Sequence, residues 1–330
     1  HHDCSRQKAL GKLRIGLFYP THLPLSLANY ADNVTHVLAK QGVHFTLFGK
    51  NKALPENVDL YWDPRGGRGA PTPLLRKTKK PVVATFHGAA HIALPLWECF
   101  DLKPGVLWAG HRDRKRTIAG WQMLRNNISA IIAVSKYAKK EVEDFFGFPS
   151  SKIYSIYHGV NHNVFQPSKE PQHNTPYILH ISSYQPKKNI NRIVKAYNRL
   201  SVPDKPRLVM LIPQYPKRPT PRSKVEVITR EKDHSQIKLL YQNAICFLFP
   251  SLHETFGMPI LEAMASGCPT ITSNLTACPE AAGDAAILVN PRSTKEISEA
   301  LEKVIQNNYL RDAMRRHGLQ RAKLFSWHQT

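Results

Sequence analysis

Two carboxylates eight residues apart, Glu254 and Glu262, flank a short aromatic–glycine–proline turn in the stretch PSLHETFGMPILEAMASGCP, residues 250–269. Pro259 suits the first position of a helix, where its missing N–H removes no intrahelical bond. A helix from about 259 turns its unpaired N–H groups and positive dipole end back over Thr255, Phe256, Gly257 and Met258. Gly257 lets backbone approach a ligand closely. Such a turn can hold phosphate or sugar hydroxyls on N–H groups. Glu254 would then accept from hydroxyls in the same loop, and Glu262, placed in the first helical turn, from a vicinal diol such as a ribose. The same two acids also fit a dipole-stabilised first-turn residue beside an exposed loop residue, and spacing does not choose between these readings.

A second group follows an apolar run at 177–181: Ser182, Ser183, Tyr184, Gln185, Pro186, Lys187, Lys188 and Asn189. It sets two small hydroxyls before a pair of lysines at a helix start. Cations there oppose the dipole unless an anion is present, so a diphosphate is one reading and a solvated lysine pair beside an Asn cap the other. His87, followed by Gly88, closes another apolar run, where a neutral imidazole can hydrogen-bond a sugar hydroxyl or carbonyl. Glu280, between Pro279 and Gly283, reads as a turn residue. The sequence has no Walker loop, no G-x-S-x-G, no H-E-x-x-H and no D-x-D.

The elements that must position these residues alternate. Short apolar runs at 13–19, 43–48, 81–86 and 130–134 read as strands of a parallel sheet, each followed by a turn and a helix. Residues 166–176 are polar and proline-rich and read as a linker. Alternation resumes with strands at 177–181, 207–212, 225–228, 245–249, 270–272 and 286–289, and with helices at 190–200, 235–243, from 259, and over 294–323. The expected architecture is α/β, with two Rossmann-like doubly wound domains, 1–170 and 171–330, facing a central cleft. In such sheets ligands bind beyond the carboxyl ends of the strands, which is where the candidate residues fall.

Lys and Arg outnumber Asp and Glu by 46 to 24 in 330 residues, a net charge of +22 shared by both halves. That favours anionic partners. No RRM, KH or zinc-finger pattern accompanies it, so no nucleic acid is expected. Five dispersed cysteines without a C-x-x-C pair suggest a reducing compartment. No apolar run reaches the roughly 20 residues of a membrane span.

Together these stretches resemble the retaining glycosyltransferases of family 4, with GT-B fold. The resemblance rests on residues 250–269 with their E-x7-E pattern, on 273–274 and 279–286, on 133–137, 152–161 and 177–200, and on His87-Gly88. It implies a nucleotide-sugar donor, GDP-mannose or a UDP-hexose, held mainly by the second domain, with the first serving the acceptor. Glu262 would take the ribose, and Lys188 the diphosphate with Ser182 and Ser183 nearby. Glu254, with the backbone of Thr255 to Met258, would hold the hexose, and His87 would reach it as well. Glu254, His87 and Lys188 are the implied catalytic residues, with no metal and no cofactor. Neither carboxylate needs an unusual pKa in this reading. Three departures stand out. Residues 24–30, PLSLANY, occupy the place of a Gly-Gly turn; Ser183 stands where many relatives have Arg; and the residues after Trp327 are few.

The implied activity is metal-independent hexosyl transfer of a mannosyl or glucosyl kind, in polysaccharide biosynthesis, to a glycan or lipid-linked acceptor. The alternative is a catalytically silent nucleotide-sugar-binding scaffold. Trp97, Trp108 and Trp121 near the basic run 111–116 fit core aromatics beside a solvated basic loop, or else an anionic membrane surface as a partner, which would go with a cytoplasmic, peripheral location.

Overall fold

The computed structural model describes residues 13–50, 53–67, 69–100, 103–168, 176–216 and 224–330. Cys4, the His1-His2 pair and 169–175 of the expected linker lie outside them. The chain divides into two compact units. The first comprises the residues up to Ala93, Pro104–His158 and Trp327–Thr330; the second comprises Leu94–Lys103 and Gly159–Ser326. In this division the second unit begins at Gly159, and the described residues of 94–103 group with it.

The first unit runs β1 (Arg14–Phe18), α1 (Leu25–Lys40), β2 (His44–Phe48), β3 (Leu60–Gly66), β4 (Val82–Phe86) and α2 (Ala90–Ala93). After α3 (Leu96–Cys99), which belongs to the second unit, it continues with α4 (Pro104–Met123), β5 (Ile128–Ala133), α5 (Lys136–Phe146) and β6 (Ile153–Ser155). All neighbours are parallel, in the order β2-β1-β3-β4-β5-β6. Helix α5 begins where Ser135 Oγ accepts from the Ala138 N–H and ends at Gly147 with φ 67°. Trp121 of α4 is fully buried, stacked 5.0 Å from Phe146.

Two strands were not evident in the sequence. Strand β6 has only three residues. Strand β3 contains Pro64, which argues against an interior strand, yet β3 lies between β1 and β4. A register irregularity between Asp63 and Gly66 accommodates the proline. The buried Asp63 carboxylate ties this bulge down, accepting from Arg65 (2.9–3.0 Å) and from the Thr72 N–H (2.7 Å).

The second unit runs β7 (Tyr177–Ile181), α6 (Ile190–Arg199), β8 (Arg207–Leu211), β9 (Val225–Ile228), α7 (His234–Asn243) and β10 (Ala244–Phe249). It continues with α8 (Met258–Ala265), β11 (Thr270–Ser273), α9 (Cys278–Ala282), β12 (Ala286–Val289), α10 (Thr294–Gln306) and α11 (Asn308–Ala322). The parallel order is β12-β11-β10-β7-β8-β9. Ile178, Leu208, Met210, Cys246, Leu248 and Ile271 form one face of the core, under Ile193 of α6 and Ile297, Leu301 and Val304 of α10. From β7 the chain proceeds outward to β8 and β9, then returns to place β10 on the other side of β7. The winding direction thus changes between β7 and β10. There the connections leaving the two carboxyl ends diverge and open a crevice.

Asn189 holds the first of these connections. It is buried, has φ 66°, and its side-chain amide donates to the carbonyls of Pro250 (2.9 Å) and Pro291 (2.6 Å) while accepting from Arg192 (3.0 Å). One side chain thus joins the segments after β7, β10 and β12. Among the described residues, no helix is long and apolar enough to cross a membrane.

Asn189→Ala orphans two buried carbonyls and puts a Cβ into a left-handed conformation; we expect a loss of about 3 kcal/mol, seen as a lower thermal midpoint. Asn189→Gly keeps the backbone but not the amide, and should recover only the smaller part. Full recovery by glycine would show that the amide bonds contribute little.

Candidate functional site

Because β7 and β10 are neighbours, residues far apart in sequence meet beyond their ends. Lys188 closes a single 3-10 turn, Pro186–Lys188, and its Nζ lies 2.5 Å from Glu254 Oε1. Both side chains are mostly buried, 13% and 12% exposed. The ammonium also lies 4.9 Å from the Phe249 ring centroid. Burial by itself would raise the Glu254 carboxyl, but the charges of Lys188 and Lys187 outweigh it and hold the group below its ordinary value. Glu254 is therefore ionised at neutral pH and suited to accepting hydrogen bonds. Lys188 thus has an anionic partner within the protein, namely Glu254.

The backbone of Glu254 is fixed at both ends. Its N–H donates to Thr276 Oγ1 (3.0 Å), and its carbonyl accepts from the Ala277 N–H (3.2 Å). Thr276 has φ 60°, a strained conformation for a β-branched residue, costing roughly 1–3 kcal/mol, and its hydroxyl also bonds the Leu275 carbonyl. No sequence signal marks Thr276, because residue type argues against that conformation.

Ser182 sits directly after β7. Its N–H donates to the Leu211 carbonyl (3.1 Å), and its Oγ lies 2.8 Å from His180 Nε2. His180 is wholly buried, and burial lowers its pKa to about 4, so the ring is neutral. Nδ1 lies 2.8 Å from the Leu248 carbonyl, which can only accept, so Nδ1 carries the proton and Nε2 accepts from the Ser182 hydroxyl. Both Ser182 protons are thus committed, and its remaining lone pairs suit a ligand hydroxyl better than a phosphate oxygen. Ser183 is exposed. His180 read as one more residue of an apolar strand, and only its place near the carboxyl end hinted at more.

Helix α8 begins as expected. Gly257 is its N-cap with φ 101°, and Pro259 lies in the first two positions. A Cβ on Gly257 would come within 2.9 Å of Ile260 Cδ1. Phe256 is buried with its ring edge-on to Phe325, so a ligand would meet its backbone. Thr255 and Met258 are half-buried beside it.

Glu262 departs from expectation in its place on the helix. It lies beyond the first turn of α8, where the helix carries no acid. Its pKa is also shifted. Burial pushes it up to about 7, against a hydrogen bond from the Tyr241 hydroxyl (3.4 Å) that lowers it. Neither role needs an unusual pKa, yet both carboxylates are shifted, in opposite directions. Tyr241, from α7, carried no signal in the sequence.

His87 belongs to the first unit. Its Nε2 lies 2.8 Å from the Pro64 carbonyl, and burial lowers its pKa to about 4. The neutral ring donates through Nε2, which leaves Nδ1 an acceptor, suited to a hydroxyl and not to a carbonyl. Tyr30 packs edge-on at 4.7 Å. Residues 25–30, at the place where the resemblance implies a Gly-Gly turn, are the first turns of α1, capped by Pro24. Trp327 packs within this unit at 5.9 Å from His158.

Comparison with known proteins agrees with this arrangement. The family described as "Glycosyltransferase Family 4" matches residues 63–164, and "Glycosyl transferases group 1" matches 220–321. The O-antigen chain mannosyltransferase B of Escherichia coli is 28% identical over 219 residues, covering 60% of this chain and 57% of that protein. The MMP alpha-(1->4)-mannosyltransferase of Mycolicibacterium hassiacum is 26% identical over 271 residues, 77% of this chain and 64% of that one. The chain thus spans less than two thirds of the length of these relatives. Among solved structures, sucrose-phosphate synthase from Thermosynechococcus elongatus superposes with a TM-score of 0.74 at 15% identity, covering 96% of both chains. Anabaena Alr3699/HepE in complex with UDP-glucose gives 0.70 at 14%, again over 96% of both. Carrying both glycosyltransferase matches on two successive parallel-sheet units, the chain belongs to the family 4-like glycosyltransferases of GT-B fold.

Proposed function

We propose that the chain is a retaining, metal-independent hexosyltransferase that moves a hexose from a nucleotide sugar, GDP-mannose or a UDP-hexose, to a hydroxyl of a glycan or lipid-linked acceptor. The observation that carries this reading is the Lys188–Glu254 pair at the β7/β10 crevice, beside the start of α8. The donor diphosphate takes Glu254's place on Lys188, and the released carboxylate accepts from hexose hydroxyls. The α8 N–H groups add positive field, so the charge that builds on the leaving phosphate is stabilised by fixed protein groups. Glu262 accepts from the ribose. For His87 the reading rests on its chemistry, an Nδ1 lone pair for a hexose hydroxyl. In the transfer itself the bond from sugar C1 to phosphate oxygen breaks. The acceptor hydroxyl gives its proton to that phosphate, and its oxygen bonds C1 on the same face.

Exposed Trp108, with Arg112 at 4.9 Å over its ring, supports an acceptor presented at an anionic membrane surface on the cytoplasmic side. Co-sedimentation with vesicles should then rise with their anionic lipid content.

Donor turnover tests the main reading. Lys188→Ala should lower transfer and donor hydrolysis by about 10²-fold or more, given the usual effect of deleting one such stabilising group. Glu254→Gln should lower turnover as strongly. It should bind the nucleoside diphosphate at least as tightly as the native chain, because a competitor for Lys188 is gone. Weaker binding by Glu254→Gln would contradict the exchange. Native binding without turnover on a broad acceptor panel would favour a silent binder.

A pH dependence follows from Glu262. Its folded pKa of about 7 lies above its ordinary 4.5, so the folded chain holds a proton that the unfolded chain releases. Stability of the free chain therefore falls as pH climbs from 4.5 to 7. Nucleotide-sugar affinity runs the other way. Ribose hydroxyls donate best to the ionised acid, so affinity should rise by up to about tenfold per unit below neutrality and level off above it. Glu262→Gln should remove both slopes; calorimetric titrations from pH 5 to 8 that keep the slope would exclude this role.

A further inference from the structure

A pocket of about 290 Å³ opens on the second unit, with Asn189 in its lining. Its walls come from α3 and from the turn leading into α6: Trp97, Glu98, Tyr184, Gln185, Asn191 and Arg192 among them. Trp97 is 63% exposed and Tyr184 44%, a large open aromatic area for two neighbouring side chains. Tyr184 is braced edge-on against Tyr215 at 5.3 Å. The polar walls are equally fixed. Arg292 grips Glu98 at both carboxylate oxygens, at 3.2 and 2.6 Å, and Asn189 Oδ1 holds one nitrogen of Arg192 at 3.0 Å.

The geometry points to a binding subsite for one neutral saccharide unit of the acceptor, built on the donor-binding unit. It rests on the glycosyltransfer reading for naming that saccharide an acceptor. The volume lies at the small end of ligand pockets, about 300–1,000 Å³, and suits a single sugar ring. A pyranose has an apolar C–H face, which packs on an aromatic ring, and a rim of hydroxyls that both donate and accept. The lining matches both. Glu98 accepts, Arg192 donates, and the Gln185 and Asn191 amides do either. The lining carries one carboxylate and one guanidinium. A phosphate would meet Glu98, and a lipid chain would strip water from both charges without replacing their bonds. The pocket shares its backbone with the donor residues. Leu252, in the lining, donates its N–H to the Lys187 carbonyl (2.8 Å), and Asn189 follows Lys188 directly. A sugar seated here therefore stands beside the Lys188–Glu254 pair.

Saturation-transfer NMR on the whole chain tests this with α-1,3-mannobiose, maltose and N,N′-diacetylchitobiose as neutral probes, glucose 6-phosphate as the charged control, and GDP and UDP in the same tubes. At least one disaccharide should receive saturation on its C–H protons, with glucose 6-phosphate at least fivefold weaker. The double variant W97A/Y184A, which alters two exposed side chains, should lose at least tenfold in disaccharide affinity. Nucleotide signals should be unchanged in the variant, and they report on the donor site separately. If no disaccharide binds, if the charged sugar binds equally, or if the double variant binds like the native chain, the subsite is refuted whatever the nucleotides show.

Discussion

A lysine and a glutamate that are both mostly removed from water can persist only by satisfying each other, and the second unit is built around such a pair. Deleting one partner of a buried ion pair typically costs about 3–5 kcal/mol, because the other charge is left uncompensated. The pair therefore has two satisfactory states: Lys188 with Glu254, or Lys188 with another anion and Glu254 with hydroxyl donors. A diphosphate joined to a hexose supplies both replacements in one molecule. The ion pair keeps the two buried charges balanced against each other, and in the proposed function a nucleotide sugar replaces that balance.

The pair exists because of the winding of the sheet. Reversal between β7 and β10 makes neighbours of strands that end 68 residues apart, at Ile181 and Phe249. Their outgoing turns are then locked by side chains with no role at a ligand. Asn189 joins three connections, Thr276 fixes the Glu254 backbone at the cost of its own conformation, and His180 orients Ser182 from below. Helix α8 delivers N–H groups at one side and, a turn further along, buries Glu262 far enough to raise its pKa. A loop position before the helix and a position inside it thus separate Glu254, held ionised by lysines, from Glu262, which burial keeps close to half-protonated at neutral pH.

Much of this was legible in the sequence, and what was not has identifiable causes. Strand–helix alternation, the restart of the pattern at 177 and the start of α8 at Gly257 and Pro259 follow from apolar period and turn chemistry, which are local properties. Strand β3 was obscured by Pro64, which is tolerated only because a bulge and Asp63 accommodate it. The membership of 94–103 in the second unit depends on long-range packing that no local pattern records. At the site, the residue types were readable but their state was not. That Lys188 would meet Glu254, that Ser182 would commit its protons inward and that Glu262 would be pushed up to about 7 all depend on burial.

The most direct test of the central claim is a thermal-shift series on the native chain with UDP, GDP, ADP and their sugars. A ligand that binds only the folded state must raise its stability, by about 2.7 kcal/mol at a hundred times its dissociation constant. The account predicts that at least one nucleoside diphosphate raises the midpoint in the native chain and fails to do so in Lys188→Ala. No shift with any of them, or an equal shift in the variant, would contradict it.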